Sequence, residues 1–259
     1  MTLDLSSPRA KLDRAYEHLR ALDAETAAFY DGCLEGGHPY EIGAEFRADS
    51  SEYVFTIKVL REPPPLIGLL LGDFAHNLRA ALDHLVCALA MDAGASCDTT
   101  QHPICSAERD YLKKAPNWLA GVRAEHRALI DGTQPYHAGA SAEEHFLSII
   151  QWLDNTDKHR ALHPAFGFLS DPGEAHAAAL RFRPNGDAGL IRSRAIANGR
   201  RITGDTDIVR LKLAPLGPNP HVDMQGDLAF EPAFGERWLK GTVLPQLASG
   251  VEDVIGLFG

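Results

Sequence analysis

The stretch Gly72 to Met91, GDFAHNLRAALDHLVCALAM, constrains the fold of this 259-residue chain more than any other. Wound at about 100° per residue, it sorts into two sides. Phe74, Leu78, Ala81, Leu82, Leu85, Val86 and Leu89 cover one side; Asp73, His76, Asn77, Arg79, Asp83 and His84 cover the other. A solvated helix face normally carries Glu and Lys, which are good helix formers and well hydrated. This face carries neither. Ala80 and Cys87, in its middle, are small enough to let another element approach. The polar side is therefore expected to be covered or to line a site.

The rest of the chain predicts an α+β protein. Residues 8 to 33 read as a first helix, with Pro8 in its first turn and Leu12, Tyr16, Leu19 and Leu22 at helical spacing. Tyr40 to Arg47 and Glu52 to Leu60 read as the two strands of a hairpin near the N-terminus. Pro63-Pro64-Pro65 breaks the chain before the central helix, which starts near Leu66. Shorter helices are predicted over Ser106–Lys114 and Trp118–Ile130. A stronger one runs from about Ser141, where Ser141-Ala142-Glu143-Glu144 fits a capping box, to the segment Asp154–Arg160. Beyond Pro164, short strands over Ala177–Phe182, Gly189–Ile196, Ile208–Ala214 and His221–Phe230 alternate with Gly and Pro turns. Arg237–Phe258 reads as a terminal helix kinked at Pro245. The expected organisation is a helical bundle region over residues 1–163 and a β-rich region with a terminal helix over 164–259. If the early hairpin joins the later strands in one sheet, the two form a single domain.

Composition sets outer bounds on function. With 45% hydrophobic and 23% charged residues, the chain has ordinary globular composition. No apolar run approaches the roughly 20 residues of a membrane span, and no hydrophobic segment follows the first basic residues, so a cytoplasmic protein is expected. A net charge of −10 argues against a broad basic surface for nucleic acid while leaving room for a local cationic pocket. Four cysteines form no CxxC pair, and Cys97, His102 and Cys105 lack a fourth zinc ligand. P-loop, GxGxxG and GxSxG motifs are absent.

Two groups of residues carry the chemistry: His76, Asn77, Arg79, Asp83 and His84 on the central helix, and Asn155, Asp157, Lys158, His159 and Arg160 at the end of the later one. If the later helix continues to its end, Asp157 shares the buried stripe of Phe146, Ile150 and Leu153. A carboxylate there needs a partner. Arg79 or His76 on a facing helix would supply it, making Asp157 and Asn155 structural partners. On this account the polar face is an internal network that fixes helix register in a non-catalytic binding or scaffold protein.

A second account starts from the spacing in RAALDH, four residues between Arg79 and His84. This resembles the Arg-x4-6-His motif of the HEPN superfamily, helical-bundle proteins that include metal-independent ribonucleases. The position after the Arg, often polar in that family, is Ala80 here. The resemblance implies that His84 transfers protons, that Arg79 holds the scissile phosphate, and that a 2′-hydroxyl attacks without a metal or other cofactor. His76 and Asp83 join them as catalytic candidates. Asn77, Tyr136, Lys158, His159 and Arg160 are candidates for binding substrate. RNA is the implied partner, and a homodimer is implied because many members build the site across one. HNLRAALDHL, TQPYH and NTDKHR together are also similar to uncharacterised bacterial proteins, which implies a shared fold over residues 66 to 163. A third account, a metal-dependent enzyme, would use His76, Asp83, Asp157 and His159 as ligands between two helices.

Overall fold

The computed structural model describes residues 3–36, 39–47, 49–159, 164–168, 181–186, 191–196, 206–213, 222–227, 230–234, 239–240 and 243–259. Within them the chain mixes helices and antiparallel strands, as the sequence leads one to expect at the level of α+β. It divides into two compact units, each assembled from separated segments. One consists of Met1–Glu25, Leu66–Leu162 and Thr242–Gly259; the other of Thr26–Pro65 and His163–Gly241.

The first unit is helical. Helix α1 (Ser6–Gly36) begins in it and continues into the second unit. Its buried residues Leu12, Ala15, Leu19 and Leu22 recur every three or four positions, which places them on one face. Helix α2 (Pro65–Asp92) forms the centre. Phe74, Leu78, Ala81, Leu82, Leu85, Val86 and Leu89 are all fully buried, so the apolar side read from the sequence is the core. A Schellman turn ends α2. The Gly94 amide bonds the Met91 carbonyl at 2.9 Å, and the Ala95 amide bonds the Ala90 carbonyl at 2.9 Å. This turn puts Gly94 at φ 77°, a left-handed conformation that glycine adopts without a Cβ penalty.

Helices α3 (Glu108–Trp118) and α4 (Ala124–Gly132) follow, then a 3-10 turn over Pro135–Ser141 and helix α5 (Phe146–His159). The expected start of α5 at Ser141 is corrected. The Ser141 carbonyl instead accepts the Glu144 amide in a tight turn, and the amide of Leu147 meets Nδ1 of His145 at 3.3 Å. The helix is thus fastened at its start by an imidazole, not by a capping box. Helix α6 (Leu244–Gly256) completes the unit. Pro245 sits in its first turn, where a missing N–H costs nothing, so it starts the helix and does not kink it.

The second unit holds the strands. In the hairpin, β1 (Tyr40–Arg47) pairs with β2 (Glu52–Val59) from Tyr40 opposite Val59 to Arg47 opposite Glu52. The hairpin does join later strands: with β5 (Ile191–Ile196) and β6 (Thr206–Leu213) it makes a sheet of order β1-β2-β6-β5. Tyr53, Val54 and Phe55 are consecutive and all buried, so β2 is covered on both faces. Asp207 on β6 accepts from Thr56 Oγ1 on β2 at 3.2 Å and from Arg47 on β1 at 3.3 Å, crossing three strands. Strand β3 (Pro164–Phe168), which the sequence reading does not anticipate, pairs with β8 (Phe230–Phe234), and β8 with β9 (Leu239–Lys240). Strands β4 (Arg181–Gly186) and β7 (Val222–Asp227) form a separate pair. Residues 177–180, expected to be extended, lie outside the described residues.

Candidate functional site

The polar side of α2 divides into three environments. In the first, Arg79 is almost entirely buried, at 6% exposure. Its Nη2 donates to Asp83 Oδ1 at 2.9 Å, one helical turn on, and to the His102 carbonyl at 2.7 Å. The His102 amide donates to the same Asp83 oxygen at 2.8 Å, closing a ring between the helix and segment 101–105. Burial pushes the Asp83 carboxyl above its usual range, with the Arg79 charge opposing it. The His102 ring is fully buried, and burial together with the Arg79 charge lowers its pKa from 6.5 to about 3. Neither ring nitrogen of His102, nor Nη1 of Arg79, has a hydrogen-bond partner among the described residues.

Gln134 secures the same segment from the other side. Its Oε1 accepts the Cys105 amide at 3.1 Å, and its Nε2 donates to the carbonyls of Pro103 (2.8 Å) and Ile130 (3.1 Å). Next to it, the Tyr136 hydroxyl donates to Asp131, and its ring stacks at a tilt against Tyr111 with centroids 5.8 Å apart. Burial and the Asp131 contact push the Tyr136 hydroxyl well above its ordinary pKa, so this candidate binding residue holds a fixed proton and a fixed partner.

The second environment lies where α2 meets α5. His76 is exposed (56% of its side chain), and its Nδ1 faces Asp154 Oδ1 at 3.3 Å. Asp154 is buried, with 4% of its side chain exposed, and also accepts from Lys158 Nζ at 2.6 Å. Asp157 lies against the backbone of α2: a Cβ built on Gly72 would fall 2.2 Å from Asp157 Oδ1. Burial, with Asp73 and Asp154 nearby, raises the Asp157 carboxyl. Asp73 faces His18 of α1 at 3.9 Å, and Asn77 caps back onto the Asp73 carbonyl at 2.8 Å.

The expected pairing of Asp157 with Arg79 or His76 is therefore replaced by one between Asp154 and His76. Along α5 the buried stripe is Leu147, Ile150, Leu153 and Asp154, while Phe146 and Asp157 are half-buried. Asp154 was findable, since Asp154 and Lys158 stand four residues apart at the spacing of a helical ion pair. Asn155 is exposed; nothing of the His159 side chain is described, and Arg160 lies outside the described residues.

His84 occupies the third environment, with its Nδ1 2.7 Å from the Ser7 hydroxyl of α1. It stands five positions after Arg79 on the helix, a rotation of about 140° between the two side chains. Arg79 consequently meets segment 101–105 while His84 meets the start of α1. The arrangement does not bring them to one point within the chain. Nor, among the described residues, does any group of three or more His, Cys, Asp and Glu stand ready to hold a metal ion, so His76, Asp83 and Asp157 do not converge as ligands. No helix among the described residues is long and apolar enough to cross a membrane.

No family model, no curated protein and no solved structure matches this chain.

Proposed function

We propose that the polar side of α2 fixes the helices of a non-catalytic binding or scaffold protein. The observation that carries this reading is the burial of Arg79. A guanidinium at 6% exposure, committed through Nη2 to Asp83 and to the His102 carbonyl, is poorly available to a phosphate. Its natural role is to tie segment 101–105 to the helix and to offset the Asp83 charge.

A second reading is favoured by one observation, the exposed His76 imidazole backed by the buried Asp154. A carboxylate at Nδ1 orients the ring and leaves Nε2 as the open proton-transfer atom. Under this reading the chain is a HEPN-like, metal-independent ribonuclease or RNA-binding relative. His76 or His84 moves the proton, and Lys158 meets a phosphate. A homodimer, cytoplasmic residence and the RNA partner belong to that reading, supported by the Arg79-x4-His84 spacing. We also take the chain from residue 164 to be a β-rich part ending in a helix, supported by its Gly and Pro turn spacing.

One experiment separates the two. RNA cleavage in EDTA is measured for the full chain, His76→Ala and His84→Ala, alongside urea unfolding of Arg79→Ala and Asp83→Asn. The first reading expects no cleavage by any form. It also expects a loss of about 3 kcal/mol for Arg79→Ala, the low end for a broken buried pair because Asp83 keeps some exposure. Asp83→Asn reports the same ring if Arg79→Ala does not fold. Cleavage by the wild type that disappears in a stably folded His76→Ala or His84→Ala would overturn it in favour of the ribonuclease.

A further inference from the structure

Apart from the ring of Arg79, Asp83 and His102, one nucleophile and one base stand together, Ser7 and His84. The Ser7 hydroxyl lies 2.7 Å from Nδ1 of His84 across 77 positions of sequence, so helix packing and not local chain geometry joins them. Ser7 is exposed and His84 half-buried, which leaves the hydroxyl oxygen open to a molecule arriving from solvent. Both stand on fixed backbone. The start of α1 is anchored by the buried Leu5 and by Asp4, whose Oδ1 accepts the Ser6 amide at 2.9 Å. Arg9 holds it from the other side, donating to the Gly259 carbonyl at 2.7 Å. On α2, Leu82, Leu85 and Val86 around His84 are all fully buried.

We propose that Ser7 is an acylation site, with His84 as its general base and a small activated carboxylic ester as the acyl donor. With the imidazole proton on Nε2, Nδ1 accepts the Ser7 proton as Oγ attacks the acyl carbon. The bond from that carbon to the leaving oxygen then breaks, and His84 passes the proton to the departing alkoxide. Ser7 is left carrying the acyl group as an ester, the donor is released as its alcohol, and His84 is neutral again. Nothing is oxidised or reduced.

The backbone around Ser7 favours the same step. The first bond of the α1 ladder runs from the Arg9 amide to the Leu5 carbonyl at 3.2 Å. Ser7 precedes it, so its own amide has no partner within the helix. That amide sits beside Oγ, where it can donate to the acyl oxygen as negative charge develops there. Asp83, the neighbour of His84 in sequence, is committed to Arg79 and to the His102 amide. It does not orient the base, so the pair is a dyad without the carboxylate of a triad. A single acylation of the chain is the matching outcome, a modification that leaves the ring around Arg79 in its structural role.

The test treats the native full chain with p-nitrophenyl acetate, quenches in acid and maps the N-terminal peptide by mass spectrometry. Hydroxylamine, which cleaves esters but not the amides formed on lysine, identifies the serine adduct. Ser6 is the internal reference, an exposed serine one position away whose hydroxyl meets no histidine among the described residues. The expected product is an acetyl ester on Ser7, formed about 10²-fold faster than on Ser6, the low end of what a general base contributes. A folded His84→Gln should lose that advantage, and so should the wild-type chain in urea, where the helices no longer hold the pair together. Equal acetylation of the two serines in the native chain would overturn the proposal, as would the absence of any acetyl ester. An unchanged rate at Ser7 in a folded His84→Gln, or a preference for Ser7 that persists in urea, would overturn it as well.

Discussion

At the scale of single residues, His102 is where burial and charge are most opposed. Burial and the neighbouring Arg79 guanidinium both favour the neutral form of this ring and hold its pKa well below the usual histidine range. In the unfolded chain the same ring takes up a proton near pH 6.5, while in the folded chain it does so only near 3. Between those values the unfolded state binds more protons, so stability is complete above about 6.5 and falls as the pH drops through that window. One ring contributes a slope of at most about 1.4 kcal/mol per pH unit. Asp83 and Asp157 work in the opposite direction. Their carboxyls are raised in the fold, so the folded state gains protons first and stability improves as they titrate. The total slope is therefore mixed, and the contribution of His102 has to be read as a difference. His102→Leu, which removes the titrating group and its two unpartnered nitrogens, should flatten the loss of stability between pH 6.5 and 4 when urea midpoints are compared with the wild type. Parallel pH profiles in the two proteins would mean that this ring is not held neutral by the fold.

At the scale of elements, the meeting of α2 and α5 depends on one absent side chain. Gly72 lies in the body of a 28-residue helix, where glycine costs about 0.5–1 kcal/mol relative to alanine. The compensation is the Asp157 carboxylate, which fills the space a Cβ would take. Gly72→Ala should therefore show little net gain, because helix propensity is offset by displacement of Asp157. In an Asp157→Ala background the same change should stabilise by about 0.5–1 kcal/mol. Equal effects of Gly72→Ala in both backgrounds, measured by urea unfolding, would break the proposed coupling. This contact also marks how far the sequence was readable. The two faces of α2 were legible because seven apolar residues, six of them large, repeat at helical spacing, and the hairpin was legible because its strands flank a four-residue turn. The register of α5 was not. Ser141 and Glu144 have the chemistry of a cap, but Pro135 and the left-handed Gly139 bend the preceding turn away from helical geometry. The buried face of α5 runs through Leu147, Ile150 and Asp154, so Asp154 is the more deeply buried carboxylate and Asp157 lies at the edge of that face. The candidate site was legible as a neighbourhood, α2 against the end of α5. Its connections were not, because His102, Gln134 and Ser7 reach it from distant segments that no local pattern marks.

At the scale of the whole molecule, the helical unit is built from three separated stretches of chain, and α6 is the last of them to be made. It supplies Leu244, Leu247, Ala248, Val251, Val254 and Ile255 to the interior, all of them buried. Phe146 sits so close to Gly250 that a Cβ there would come within 2.7 Å of its ring, which seats α6 directly on the first turn of α5. Tyr16 of α1 donates to Glu252 at 3.0 Å, and Arg9 donates to the Gly259 carbonyl at 2.7 Å, so the same segment is also held by α1. Five large apolar side chains at roughly 1.5–3 kcal/mol each amount to about 8–15 kcal/mol of burial as an upper bound. A domain's net stability is of the same order, about 5–15 kcal/mol. A chain ending after residue 242 should therefore lose the cooperative fold of the whole helical unit, α2 and its polar network included, and not simply its last helix. The measurement is near-ultraviolet circular dichroism with urea unfolding of the truncated chain, with Gly250→Leu as a gentler companion that lifts α6 from Phe146 without deleting it. A truncated chain that keeps a sigmoidal transition at the wild-type midpoint would show that α6 is an appendage. The site on α2 would then stand without α6, on α1, α5 and segment 101–105.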